Sequence, residues 1–287
     1  MKIAYCGYDF FFSCFERIIN LGHEPVAVFS FDCDPANPRY SKVNFNNRLA
    51  TAAREAGVRF TTAPLNALGL HELLSSGCEF LVSAGYRFRI PIETCPALRG
   101  CNVHPTILPE GRGPWPLPYL ILKNIRLGGV TIHKLISKLD SGDILCQEGF
   151  PITPIDNLET VSCRAQMLAA RLLDHFLRNF DRLWQNARPQ GEGSYWREPT
   201  LEDRTIDWSM GVDSIMKIVR AFGKFESCAT FGGKDWVIRD AVAWKENHSI
   251  LPGTVAHEAN REVVVAASDG FVCLRYYDLD PDWERVA

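Results

Sequence analysis

The chain has 287 residues, enough for one large domain and a smaller companion. Its 46% hydrophobic and 23% charged residues fit an ordinary soluble globular protein, and no apolar run reaches the roughly 18 residues of a membrane span. A net charge of −3 gives no general electrostatic reason to expect a nucleic acid partner.

Met1 to Gly7 reads as a first strand rather than a signal peptide, because no long apolar core or cleavage site follows. The 10 cysteines are scattered, with no Cys-x-x-Cys pair and no Cys/His zinc spacing, so no metal is expected. Cys6, Cys14, Cys101, Cys146 and Cys273 lie in apolar contexts and read as small buried hydrophobes in a reducing cytoplasm. Gly7-Tyr8-Asp9-Phe10 lacks the repeated glycines of a dinucleotide fingerprint, which argues against a nicotinamide cofactor.

Along the first 150 residues β-rich runs alternate with helical patterns. Lys2–Tyr5, Val26–Ser30, Arg59–Thr62, Phe80–Ser83 and Cys101–Val103 read as strands. Cys14–Leu21, Asn46–Ala56 and Asn66–Ser76 carry apolar residues at three- and four-residue spacing and read as helices. This alternation predicts an α/β fold with a mostly parallel, doubly wound sheet covered on both faces. Ligands of such sheets bind outside the carboxyl ends of the strands. Trp115–Leu122 reads as a helix with proline in its first turn. Gly129–Leu135 and Ile144–Phe150 read as strands joined by the turn at Asp140-Ser141-Gly142, and Leu158–Trp184 as one long amphipathic helix.

Residues 1–188 are thereby expected to form one domain, and 189–204, with Pro189, Gly191, Gly193 and Pro199, a linker. From Thr205 to Ala287 a short helix at Val212–Ala221 is followed by β-rich runs near 228–231, 236–244, 253–256, 263–267 and 271–276. Several short strands in some 80 residues suggest a small, OB-like β-barrel domain.

Asn102 and His104 are two residues apart at the end of a strand, so their side chains share a face. Pro105, Pro109, Gly111, Gly113 and Pro114 end that strand and open a pocket at its carboxyl end. A group that titrates near neutrality beside a neutral donor suits acyl transfer, as base for the nucleophile and donor to the developing oxyanion. Asp140, in its turn with Gly142, supplies a carboxylate able to orient the histidine. His133 sits on a strand whose facing the sequence does not assign, and it stays outside the catalytic set.

Three segments then resemble one family. Asn102-Val103-His104-Pro105-Thr106-Ile107-Leu108-Pro109 with Arg112-Gly113, Gly129-Val130-Thr131-Ile132-His133, and Asp140-Ser141-Gly142-Asp143-Ile144 follow, in order, the motifs of the formyltetrahydrofolate-dependent N-formyltransferases. Ile206-Asp207-Trp208-Ser209 and Pro252-Gly253-Thr254-Val255 resemble the carboxyl-terminal barrel domain of that family's two-domain, methionyl-tRNA formyltransferase-like members. The resemblance spans nearly the whole chain, which sets it apart from the single-domain glycinamide ribonucleotide relatives. Pro105 stands where members often have glycine, Thr106 where they have serine, and the run Gly113-Pro114-Trp115-Pro116-Leu117-Pro118 is unusually stiff.

The resemblance implies attack of a primary amine on the formyl carbon of N10-formyltetrahydrofolate, with Asn102, His104 and Asp140 as the catalytic set. It further implies that Phe88, Arg89 and Ile90, the loop Ile136-Ser137-Lys138-Leu139, and Thr106, Ile107, Leu108 and Pro109 line the folate site. Arg112 either contacts the folate or orders its loop. Three acceptors stay open: the aminoacyl end of an initiator tRNA, an amino sugar on a nucleotide, and a hydroxyornithine-type amine. Relatives acting on tRNA carry a Lys/Arg-rich insertion after the second strand, whereas Phe31 to Lys42 here has only Arg39 and Lys42 against Asp32 and Asp34. Residues 205–287 hold 9 Lys and Arg against 13 Asp and Glu, a poor surface for a polyanion. A small-molecule amine is therefore preferred, with a layout nearer the amino-sugar enzymes, and the barrel offers a contact surface for a homodimer. Hydrolysis of the formyl group by water, and folate binding without turnover, are the readings from other classes.

Overall fold

Ile3, Ala4, Tyr5 and Cys6 are wholly buried, so the first strand is covered on both faces, as a central strand of a parallel sheet must be. A computed structural model describes residues 1–32, 47–223, 227–259 and 262–279. In chain order its strands and helices to residue 185 are β1 (Lys2–Gly7), α1 (Phe12–Asn20), β2 (Glu24–Phe29), α2 (Asn47–Glu55), β3 (Arg59–Thr61), α3 (Ala67–Ser75), β4 (Phe80–Ala84), β5 (Arg99–His104), α4 (Leu117–Leu122), β6 (Leu127–Lys134), β7 (Ile144–Pro151), α5 (Leu158–Arg178) and α6 (Phe180–Gln185). The predicted helix start at Asn46, Arg39 and Lys42 lie outside the described residues.

Two compact units emerge. The first comprises 1–116, 126–152 and 162–197, the second 117–125, 153–161 and 198–287. The second unit thus draws on two pieces of chain that precede the expected boundary at 205.

In the first unit seven strands run in the order β3-β2-β1-β4-β5-β6-β7. The first five are parallel, and β6 and β7 join antiparallel. Strand order reverses between β1 and β4, which opens a crevice at the carboxyl ends of the central strands. Asn102 and His104 stand at the carboxyl end of neighbouring β5. On the helical side Phe80 meets Phe176, Phe180 and Trp184 with ring centroids 5.0–5.9 Å apart.

The expected single helix over Leu158–Trp184 is interrupted at Asn179, whose φ of −118° and ψ of 26° leave the helical region. Its side-chain amide donates to the His175 carbonyl, a local bond that competes with continuation of the helix.

The second unit adds α7 (Leu201–Arg204), β8 (Thr205–Ile206), α8 (Val212–Phe222), β9 (Ser227–Phe231), β10 (Lys234–Lys245), β11 (Val255–Ala259), β12 (Glu262–Ala267) and β13 (Gly270–Leu279). Val212, Ile215, Ile218, Val219 and Phe222 form the buried stripe of α8. Asp269 accepts the Val212 N–H at 2.7 Å and holds the helix start. The strands form one sheet in the order β11-β12-β13-β10-β9-β8. The expected closed barrel is not present: among the described residues β11 and β8 do not pair. Closure needs a continuous ladder at the seam, and β8 offers two residues, both committed to β9.

Phe176→Ala should cost about 3–5 kcal/mol of stability through the cavity left against Phe80 and Phe180. Urea denaturation checks this, and a loss under about 1 kcal/mol would show that the aromatic cluster is not a packed core.

Candidate functional site

On β5 the side chains of Cys101 and Val103 enter the core, while Asn102 and His104 share the opposite face. Antiparallel pairing sets Asn102 opposite His133 and His104 opposite Thr131. Register therefore brings His133 onto the face that carries Asn102 and His104, where its Nε2 lies 3.2 Å from Asn102 Nδ2. Its Nδ1 lies 2.9 Å from the Lys134 carbonyl, which can only accept, so Nδ1 carries the proton and neutral Nε2 accepts from the asparagine.

His104 is 4% exposed. Its Nε2 donates to the Gly111 carbonyl at 2.8 Å, which leaves Nδ1 as the basic nitrogen of the neutral ring. Nδ1 lies 3.5 Å from Asp140 Oδ1. Burial pushes the histidine below its ordinary value, against the opposing pull of the Asp140 carboxylate and the Gly111 carbonyl. The ring is thus a neutral base next to an anion that favours the imidazolium.

Asp140 is the hub. Oδ1 lies 3.3 Å from Asn102 Nδ2, 3.5 Å from His104 Nδ1 and 3.7 Å from His133 Nε2, and Oδ2 accepts the Gly113 N–H at 3.0 Å. Burial alone would raise this carboxyl; the positive charge that His104 and His133 carry when protonated, together with the Gly113 N–H, outweighs it and holds the group well below the usual carboxylate range. Asp140 has φ of 51°, the left-handed region, a conformation that costs on the order of 1 kcal/mol or more and marks a site held by its surroundings. In the same turn a Cβ on Gly142 would lie 1.9 Å from the Lys134 carbonyl oxygen. Asn102, His104 and Asp140, expected together, converge on one face. Asn102 Nδ2, expected to serve a substrate oxygen, spans Asp140 and His133 here.

The two segments expected to line the folate site are side by side, since Arg89 Nε donates to the Ser137 carbonyl at 3.1 Å. Arg89 also pairs with Glu93. Phe88 is half-buried against Tyr8 and Phe31. Ile90, expected to line the folate site, puts its side chain in the core around Leu81 and Leu98, and its carbonyl accepts the Ile92 N–H at 2.8 Å. Ile136, Ser137, Lys138 and Leu139 are exposed.

Thr106 and Leu108 are each 1% exposed. Thr106 Oγ1 donates to the Glu110 carbonyl, and Ile107 packs where a Cβ on Gly129 would fall. Thr131 Oγ1 donates to the Thr106 carbonyl at 2.7 Å and accepts the Leu108 N–H, while Gln147 Nε2 donates to the Leu108 carbonyl. The 106–109 side chains therefore shape the loop, and Pro109 is partly exposed. Arg112 orders its loop: its guanidinium holds Gln190 Oε1 and the Gly191 carbonyl. Sequence reasoning left out His133, Thr131, Gln147 and Gln190; strand register would have found the first three. Among the described residues no group of three His, Cys, Asp or Glu is placed to hold a metal ion, and no helix is long and apolar enough to cross a membrane.

The Formyl transferase family model matches residues 22–176, and the Formyl transferase, C-terminal domain, model matches residues 200–280. Methionyl-tRNA formyltransferase of Treponema denticola is 37% identical over 136 residues, 47% of this chain and 42% of that protein. The corresponding enzyme of Enterococcus faecalis is 28% identical over 71% of this chain and 66% of its own length. The matched stretch thus spans less than two thirds of either relative. Among solved structures, an N-formyltransferase from Helicobacter canadensis in complex with folinic acid and dTDP-3-aminofucose has a TM-score of 0.71 at 18% identity, covering 97% of this chain and 100% of that one. HypX from Aquifex aeolicus in complex with tetrahydrofolic acid has a TM-score of 0.67 at 21% identity, covering 98% of this chain and 45% of that one. At these identities the likeness to solved structures is one of fold.

Asp140 titrates lower in the folded chain than in the unfolded one, so its contribution to stability is present above about pH 4 and fades as pH falls through its native value. The stability gap between the native chain and Asp140→Asn should therefore be largest at neutral pH and narrow below about pH 4. Denaturation across that range measures it; a gap constant with pH would mean that Asp140 is not held ionised.

Proposed function

The chain belongs to the formyl transferase family, and we propose that it moves the formyl group of N10-formyltetrahydrofolate to a primary amine carried by a small molecule. The observation that carries this reading is the convergence of a neutral buried imidazole, an ionised carboxylate and a carboxamide on one strand face. The amine nitrogen forms a bond to the formyl carbon, and the carbonyl becomes an oxyanion. Asn102 meets that oxygen by releasing one of its two present partners, a donor worth about 2.7–4 kcal/mol to such a transition state. His104 Nδ1 takes the amine proton, Asp140 stabilises the imidazolium, and the proton returns to N10 of the folate as the carbon–nitrogen bond breaks. The loops joined by Arg89 and Ser137 receive the folate ring.

An amino sugar on a nucleotide is the acceptor this reading favours. The Helicobacter canadensis enzyme, matched over 97% of this chain, was solved with such a ligand, and the acidic balance of residues 205–287 supports it. A hydroxyornithine-type amine is the other small acceptor. The tRNA reading is favoured by a different observation, the curated relatives being methionyl-tRNA formyltransferases. Incubating 10-formyltetrahydrofolate with nucleotide-linked amino sugars, N-hydroxyornithine or charged initiator tRNA, and following mass gain on each, separates these acceptors. Transfer to tRNA alone would overturn the small-molecule reading, and formate release without any amine would mark a hydrolase.

His104→Ala should lower kcat by at least about a hundredfold while leaving folate affinity within a few-fold. Stopped-flow turnover and folate titration measure the two; a near-native rate would remove His104 as the base.

A further inference from the structure

Pro189, Gly191 and Gly193 give residues 188–196 the composition of a linker, yet the segment is bound along its length to the catalytic loops. Arg188 and Ile144 exchange two backbone hydrogen bonds at 2.7 and 2.9 Å. Arg112 N–H donates to the Ser194 carbonyl and Trp196 N–H to the Arg112 carbonyl, a short parallel bridge. A Cβ on Gly193 would lie 2.1 Å from the Pro109 carbonyl oxygen, and one on Gly113 2.0 Å from that of Trp196. Glycine here permits close approach of two backbones rather than freedom.

Two side chains of this strap reach the groups that hold the site. Gln190 Nε2 donates to the Asp140 carbonyl at 3.0 Å and the Gly142 carbonyl at 2.7 Å, while its Oε1 accepts from Arg112 Nε and Nη2 at 3.1 and 2.9 Å. Two carbonyl oxygens on one side and a guanidinium on the other fix the orientation of the amide and fill all four of its hydrogen-bonding positions. Ser194 Oγ accepts the Gly111 N–H at 2.9 Å and donates to Glu110. Gly111 is the residue whose carbonyl holds His104 Nε2.

We propose that the strap from Arg188 to Trp196 is a positioning element of the active site, in which Gln190 holds the left-handed Asp140 turn and Ser194 holds the Gly111 carbonyl that fixes His104. The proposal deepens the formyl-transfer reading and rests on it for its kinetic consequences. Gln190 touches neither reacting partner; it acts through Asp140. Without its two donors the turn relaxes, Asp140 Oδ1 draws away from His104 Nδ1, and the histidine loses the anion that raises its proton affinity.

The test uses the full chain with three variants. Gln190→Leu removes both halves of the amide. Gln190→Glu keeps the volume and the Arg112 partner but sets an oxygen against two carbonyls. Ser194→Ala removes the second tether. Thermal melts and near-UV circular dichroism establish that each variant is folded. Gln190→Leu and Gln190→Glu should both lower kcat by at least about tenfold, with KM for 10-formyltetrahydrofolate within a few-fold. The His104 imidazole titration and the acid limb of kcat/KM should both move to lower pH. Ser194→Ala should lower kcat in the same sense. A native rate and an unmoved His104 titration in the Gln190 variants would overturn the proposal, and a loss in Gln190→Leu that Gln190→Glu does not share would assign the effect to packing and Arg112 instead. Should the native chain transfer formyl to no acceptor, the formyl-transfer reading fails, and the His104 titration alone decides the strap.

Discussion

One carboxylate organises the site. Asp140 is ionised in a buried setting, which is tolerable because Asn102 Nδ2 donates to Oδ1, the Gly113 N–H donates to Oδ2, and two imidazoles able to take up a proton lie beside Oδ1. Those four groups come from three pieces of chain: Asn102 and His104 from β5, His133 from β6, and Gly113 from the loop that follows β5. The fold's task is to deliver them to one point. The parallel sheet does so by ending β5 at the crevice, and the antiparallel pairing of β6 supplies His133 by register.

The alternation of strands and helices in the first unit was legible because central parallel strands are apolar on both faces and separated by amphipathic helices. The shared face of Asn102 and His104 on β5 was legible for a simpler reason: a spacing of two on a strand puts both side chains on one side. Nothing local reports which residue lies across the ladder, so His133, although part of the Gly129–His133 motif, gave no sign of standing beside Asn102. The break at Asn179 was equally hidden, because the apolar stripe continues through Phe180 while the change is a single side-chain bond to His175.

Two departures have a common cause. Short β-rich runs in the second unit suggest a barrel, but closure depends on pairing at the seam, and β8 has too few residues to supply it. Pro189, Gly191 and Gly193 suggest a linker, but glycine serves flexible coil and close backbone approach alike. Composition reports what a segment permits; the partner across the gap decides which use is made of it. At Gly193 that partner is the Pro109 carbonyl.

The proposed transfer asks for a base that is neutral before the amine arrives and charged after it attacks. Burial supplies the first condition at His104 and Asp140 the second, and the two act in opposition on the same ring. Their balance depends on distance, because the interaction of charges a few ångströms apart changes steeply when solvent is largely excluded. A separation of 3.5 Å between His104 Nδ1 and Asp140 Oδ1 must therefore be held against relaxation. Asp140 itself resists, since its left-handed backbone would release strain by moving. Rigid supports on both sides answer this: Gly113 at the carboxylate and Gln190 at the carbonyl of the same residue. In the proposed transfer a carboxylate gripped at both ends is preorganised for the charge that develops beside it, and on that reading the segment reaching it from residues 188–196 serves the site as much as the strand that carries the histidine.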